Sequence, residues 1–216
     1  MSASLSLRDV VRRNASTLSW VLLVLVILLG AALACSLAAA VYLLSFWHYC
    51  LYWLAFAFGA AHFDVFKRNA IALKTLSVAA LALVYLSAPL DPVSLAVIAG
   101  GVLLNVRAAQ VLGLDRTYYG HEVAGLPARR ITAFPYSLTS HPMILGNVAA
   151  FGGTLINAPF RADWWPLASL HVVLNIGLLA MELAAPRHRG TIRIGGVCVL
   201  GSTLLGAVVV IARGTP

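Results

Sequence analysis

The chain alternates long stretches without charge with short stretches that gather most of its charged and helix-breaking residues. No charged residue occurs between Trp20 and Leu44. At about 1.5 Å of rise per residue, such a run is long enough to cross a hydrocarbon layer of roughly 30 Å as a helix. Further apolar runs follow at Tyr49–Ala61, Ala70–Ser87, Val93–Leu104, Ile144–Ile156, Trp165–Leu183 and Ile194–Ala212. The pattern predicts an all-α, multi-pass transmembrane helical bundle of about seven spans. The narrowest division lies between the first two runs, where Ser45, Phe46, Trp47 and His48 alone are available for a turn; aromatic and weakly polar side chains suit a membrane interface. Basic residues before the first run and the small residues of "ACSLAAA" after it have the look of a cleaved signal peptide. No soluble segment follows, so the run is read as a retained span.

Composition agrees with this picture. Of 216 residues, 61% are hydrophobic and 10% charged, whereas soluble domains carry about a quarter charged residues. The net charge of +8 invites a nucleic-acid partner, but the placement of the basic residues argues otherwise. With the N-terminus in the cytosol, Arg8, Arg12, Arg13, Lys67, Arg68, Arg107, Arg116, Arg129, Arg130, Arg187, Arg189 and Arg193 all fall on the cytosolic side. Arg161 and Arg213 fall opposite. This is the asymmetry of the positive-inside rule, and it reports topology and anionic lipid headgroups rather than nucleic acid. Cys35, Cys50 and Cys198 sit in apolar runs without metal-ligand spacing and read as packing residues. The whole chain, residues 1–216, is read as a single integral membrane domain.

The longest interruption between runs, residues 105–143, carries Gly113, Gly120, Gly125, Pro127, Pro135 and Pro142, which break any continuous helix into short interfacial helices and turns. A break of that length in a compact protein is usually functional, and the charge alternation puts it in the cytosol. Within it, "TYYGHE" offers the aromatic faces of Tyr118 and Tyr119 and a backbone at Gly120 that a ligand can approach closely. An interfacial aromatic belt with a turn glycine accounts for the same residues. "RRITAFPYSLTSHPMILG" leads into a span through His141 and Pro142. Pro142 suits the first helical turn, so free backbone amides would point into the cytosolic mouth. Glu182, in "LLAMELAAPRHRG", is one of only two glutamates and stands at the cytosolic end of a span. A carboxylate there is costly without water or a partner, which makes a functional role the default; the plainer account is an ion pair with Arg187 or Arg189.

Together "DRTYYGHE", "ITAFPY", "HPMILG" and the late Glu182 resemble the phospholipid N-methyltransferase family, membrane enzymes that convert phosphatidylethanolamine to its methylated forms on the way to phosphatidylcholine. The similarity is firmest over about residues 113–183, and "HFDVFKRNAIALK" upstream is compatible with it. Two departures stand out. Ile144 occupies the position where many relatives have a tyrosine, and Met181 precedes Glu182 where many carry a second acid. The resemblance implies S-adenosylmethionine as methyl donor, a phospholipid acceptor, and a methyltransferase-like core at residues 105–183 with a cytosolic cofactor pocket. The implied location is the endoplasmic reticulum, or the inner membrane in a bacterium.

The residue chemistry suits that cofactor. Its ammonium needs a carboxylate, for which Glu182 is available, and its carboxylate needs N–H donors, which either the helix mouth from His141 and Pro142 to Gly146 or the arginines could give. Tyr119, Phe134 and Tyr136 offer faces for adenine or a methylated ammonium, with Gly120 allowing close approach. Transfer requires an unprotonated amine, and Glu122 and His121 are the nearest candidates to take the proton. No metal is implied. Two other enzymes share the architecture: a carboxyl methyltransferase acting on prenylated cysteine, whose acceptor is already an anion, and a sterol-reductase-like enzyme, which would need a nicotinamide cofactor. A transporter would place polar groups in the centres of spans, whereas the polar residues here gather at one face.

Cysteine substitutions at Arg68 and Arg130 are expected to react with membrane-impermeant reagents from the cytosolic side, and those at Asp91 and Asp163 from the opposite side. Labelling of positions 130 and 91 from the same side would remove the cytosolic pocket.

Overall fold

The computed structural model describes Val26 and residues 28–34, 36–58, 60 and 62–184. Among them every regular element is helical: α1 (Leu37–Phe58), α2 (Phe63–Leu86), α3 (Pro92–Leu112), the short α4 (Leu114–Thr117) and α5 (Gly120–Ala124), α6 (Pro142–Thr154) and α7 (Ala158–Ala184). Four of these, α1, α2, α3 and α7, are long and apolar enough to cross a membrane. The start of the first expected run and all of the last, Ile194–Ala212, lie outside the described residues.

Two expectations are corrected. Ser45–His48 is not a turn but the middle of α1. The segment contains neither glycine nor proline to break it, and tilted aromatic rings pack along it, Tyr42 against Phe46 with centroids 5.8 Å apart and His48 against Tyr49 at 4.0 Å. Residues 144–156 do not make a span either, because α6 has only 13 residues, about 20 Å of helix against roughly 30 Å of hydrocarbon. The helix at 93–104 also continues to Leu112, so the polar interruption begins at Gly113.

The described residues fall into two compact units: residues up to Leu81 with Tyr119–Gly125 and Ala184, and Ala82–Tyr118 with Leu126–Leu183. In the first, Ser77 Oγ on α2 donates to the Ser45 carbonyl on α1 at 2.7 Å, and Phe46, Tyr49, Phe66 and Leu73 are buried.

In the second unit, local chemistry fixes the helix ends. Asp91 accepts from the Ser94 amide at 2.7 Å and Pro92 fills the first turn of α3, an N-cap of ordinary kind. Gly113 ends α3 with φ 84°, a backbone state that glycine adopts without strain. Asn157 accepts from the Phe160 amide at 3.3 Å at the start of α7, while its amide nitrogen donates to the Pro89 carbonyl at 2.9 Å.

Helices α3 and α6 touch backbone to backbone. A Cβ on Gly101 would stand 2.5 Å from the Gly146 carbonyl oxygen, and one on Gly146 would stand 2.7 Å from that of Gly101. At one end of this crossing Tyr85 donates to Ser94 Oγ, which donates to the Gly153 carbonyl, each at 2.7 Å. Further along, three asparagines join three helices. Asn105 on α3 donates to Asn147 on α6 at 2.7 Å and to the Met143 carbonyl at 3.0 Å; Asn147 donates to Asn175 on α7 at 2.9 Å; Asn175 donates to the His171 carbonyl at 2.9 Å. His171 is buried and stacks on Phe151 with centroids 4.2 Å apart and planes 9° from parallel. The pairs 151/171 and 147/175 define antiparallel packing of α6 on α7.

Because the Gly101 contact is backbone on backbone, Gly101→Ala should force α3 away from α6 and lower stability by about 1–3 kcal/mol, as overpacking does. Gly100→Ala, where a Cβ meets nothing within 4 Å, should be neutral or stabilising by up to about 1 kcal/mol through helix propensity. Thermal unfolding in detergent compares the two; equal effects would contradict the close crossing.

Candidate active site

The antiparallel register of α6 and α7 brings the start of one helix to the end of the other. At that level His141 Nδ1 stands 3.3 Å from Glu182 Oε2. His141 occupies the N-cap position of α6 without a side-chain bond to the helix, and Pro142, buried, is its first residue. Proline has no N–H, and Leu145 N already donates to the His141 carbonyl at 3.2 Å. The amides of Met143 and Ile144 are therefore the donors left at this helix start. The helix dipole adds positive potential at the same place. Both side chains of the pair are partly accessible, 31% for His141 and 23% for Glu182.

Tyr136 belongs to the same site. It follows a turn in which its amide donates to the Ala133 carbonyl at 2.9 Å and Leu138 N donates to the Pro135 carbonyl at 3.1 Å. Burial, and after it the negative charge of Glu182, push the Tyr136 phenol up to about 12, so the group stays a neutral hydrogen-bond donor at ordinary pH. Phe134, on the same turn, is 54% exposed and presents an open ring. A carboxylate, two open backbone amides, a phenol and a free aromatic face make a donor and acceptor set that fits an amino-acid end and a purine.

Of the other sequence-derived candidates, one lies in the second unit and four in the first. Gly146 is buried in the crossing with Gly101 and Asn105. Tyr119, Gly120, His121 and Glu122 belong to the first unit. There Tyr119 adopts a left-handed backbone, φ 63°, which is strained for a residue with a Cβ. Its ring packs edge-on against Tyr52 at 5.4 Å and Phe56 at 4.6 Å. Gly120 is buried at the start of α5, and His121 and Glu122 are exposed on it. Arg187 and Arg189, the alternative partners for Glu182, lie outside the described residues. Among the described residues no group of His, Cys, Asp or Glu has the arrangement of a metal site.

Sequence reasoning passed over Asn105, Asn147 and Asn175. Their signal was present, since an amide inside an apolar run such as "VLLNV" or "VVLNI" has to find an interhelical partner.

The raised phenol gives a pH signature. A tyrosine in an unfolded chain titrates near about 10. Between about pH 10 and 12 the unfolded chain has therefore released a proton that folded Tyr136 keeps; the stability present below pH 10 is lost as pH rises through that window. Burial also raises the Tyr118 phenol, so both tyrosines act in this sense. Tyr136→Phe should make the alkaline fall in unfolding temperature shallower, and Glu182→Gln should lower the Tyr136 titration seen by ultraviolet absorbance while leaving it above 10. No movement of the titration in Glu182→Gln would separate the two side chains.

The family model for phospholipid methyltransferase matches residues 92–185. No curated protein and no solved structure matches the chain. The matched segment takes in α3, α6 and α7 and with them Tyr136, His141 and Glu182. That segment of the chain, from 92 to 185 and somewhat under half of its length, is thus similar to phospholipid methyltransferases.

Proposed function

We propose that the protein transfers a methyl group from S-adenosylmethionine to the amine of phosphatidylethanolamine or its partly methylated forms at the cytosolic membrane face. The observation that carries this reading is the position of Glu182 at the mouth of α6, 3.3 Å from His141, inside the segment that matches the family. In this reading the Glu182 carboxylate holds the cofactor's ammonium, and the amides of Met143 and Ile144 hold its carboxylate. Phe134 and Tyr136 flank the adenine. When bound, the cofactor supplies an electrophilic methyl on sulfur. The chain's part is to orient it, exclude water and align the amine, and such positioning contributes up to about 7–11 kcal/mol of a barrier.

Glu182→Gln keeps size and removes charge. A hydrogen bond to a charged group contributes roughly 1.5–3 kcal/mol, so affinity for S-adenosylmethionine should fall about tenfold to a hundredfold with little change in unfolding temperature. Calorimetric titration of the purified protein in lipid measures the first quantity. Incubation with labelled cofactor and identification of the labelled lipid names the acceptor. Equal cofactor affinities in wild type and Glu182→Gln, or label in a prenylated peptide and none in lipid, would end this reading.

A further inference from the structure

We propose that the His141 imidazole, held by Glu182, is the base that takes the proton from the acceptor's ammonium. The inference rests on the methyl-transfer reading above and assigns it a proton acceptor. A carboxylate can only accept hydrogen bonds, so the 3.3 Å approach of Glu182 Oε2 to His141 Nδ1 favours the tautomer of a neutral ring that carries its proton on Nδ1. The lone pair is then on Nε2. Apart from this contact the His141 bonds found among the described residues are made by its backbone, the amide donating to Thr139 Oγ1 at 3.4 Å and the carbonyl accepting from Leu145 N at 3.2 Å. The side chain is 31% exposed, and Nε2 is the ring nitrogen turned away from the Glu182 contact. Among the described residues Glu182 from α7 contacts the ring, and Tyr136 from the preceding turn lies close enough to Glu182 to feel its charge. Tyr136 remains protonated and is a donor, not a competing base. A carboxylate offers about four acceptor positions on its two oxygens, so orienting His141 does not exhaust Glu182.

The step balances. An alkylammonium has no lone pair and cannot attack carbon. Nε2 of His141 takes one N–H proton, which leaves a neutral amine and an imidazolium stabilised by Glu182. The amine lone pair forms the new N–C bond to the methyl carbon, the C–S bond breaks, and its electron pair returns to sulfur. The products are a methylated ammonium, a neutral thioether and the imidazolium, which returns its proton to water at the exposed edge of the ring. Two positive charges enter and two leave.

The test uses the full-length protein in lipid. With cofactor-free protein, ¹⁵N spectra of the imidazole, assigned by loss of the signal in His141→Gln, should show neutral His141 in the Nδ1–H form. Glu182→Gln should abolish that preference. In turnover at saturating cofactor, His141→Gln should lower kcat about a hundredfold or more, the usual scale of general-base catalysis, with cofactor affinity within about threefold of wild type. Added imidazole should restore part of the rate. An acceptor lipid carrying a fluorinated ethanolamine, whose amine is already neutral at assay pH, should lose no more than a few fold. A wild-type ring without tautomer preference overturns the proposal, as does an equal loss of kcat with both acceptors, which would mark His141 as structural. A loss confined to cofactor affinity overturns it too, by making His141 a cofactor contact alone. If the wild type methylates no amine lipid, the function reading falls and the base with it; if it does and His141→Gln keeps full kcat, only the base falls.

Discussion

Asn147 is shared between two helices, and the geometry of the second unit depends on that sharing. Its carbonyl accepts from Asn105 on α3 and its amide nitrogen donates to Asn175 on α7. Inside an apolar layer an unpaired amide finds no water to replace a lost partner, so the three side chains favour one axial register. A slip of one residue would shift α6 by about 1.5 Å and turn it by about 100°, which breaks both bonds together. The glycine crossing makes this possible by letting α3 and α6 approach until backbone meets backbone. Dispersion and close packing hold the helices there. The amides decide where along their length they stop.

The site is downstream of that register. His141 lies six residues before Asn147, and Glu182 seven residues after Asn175, so on antiparallel helices both offsets run about 9–10 Å toward the same end. The contact between imidazole and carboxylate is thus set by bonds two turns away in the middle of the bundle. Tyr136 is brought in by a different device, the tight turn from Ala133 to Leu138.

Much of this was legible in the residues. Asp91–Pro92 and Gly113 mark the ends of α3 as their chemistry requires, His141–Pro142 marks the start of α6, and the lone late Glu182 announces a partner. Three of the residues singled out in the sequence lie near one another, His141 3.3 Å from Glu182 and Tyr136 within reach of the Glu182 charge. Two features were not legible. The continuity of α1 through Ser45–His48 depends on aromatic packing and burial, which make polar aromatics compatible with a helix interior. The brevity of α6 depends on where it stops, at Gly152–Gly153 with Thr154 Oγ1 bonded back to the Phe151 carbonyl at 2.7 Å; hydrophobicity continues past that point through Leu155 and Ile156. Gly146 shows the limit of reading glycines from sequence, since a glycine that admits another helix looks the same as one that admits a ligand.

The short α6 also sets the depth at which the mouth opens. Asn105 bonds to the Met143 carbonyl, so the beginning of α6 is level with Asn105, while α3 continues to Leu112, about 10 Å further. The mouth is recessed against the end of its neighbour. On the methyl-transfer reading proposed above, a phospholipid would present its headgroup there, and keeping its acyl chains in the hydrocarbon layer avoids an extraction penalty of about 0.8 kcal/mol for each CH₂ withdrawn. Encounter with such an acceptor is lateral and two-dimensional. The quantity that governs it is the mole fraction of acceptor within the bilayer, and diluting the aqueous phase around the same vesicles leaves that encounter unchanged.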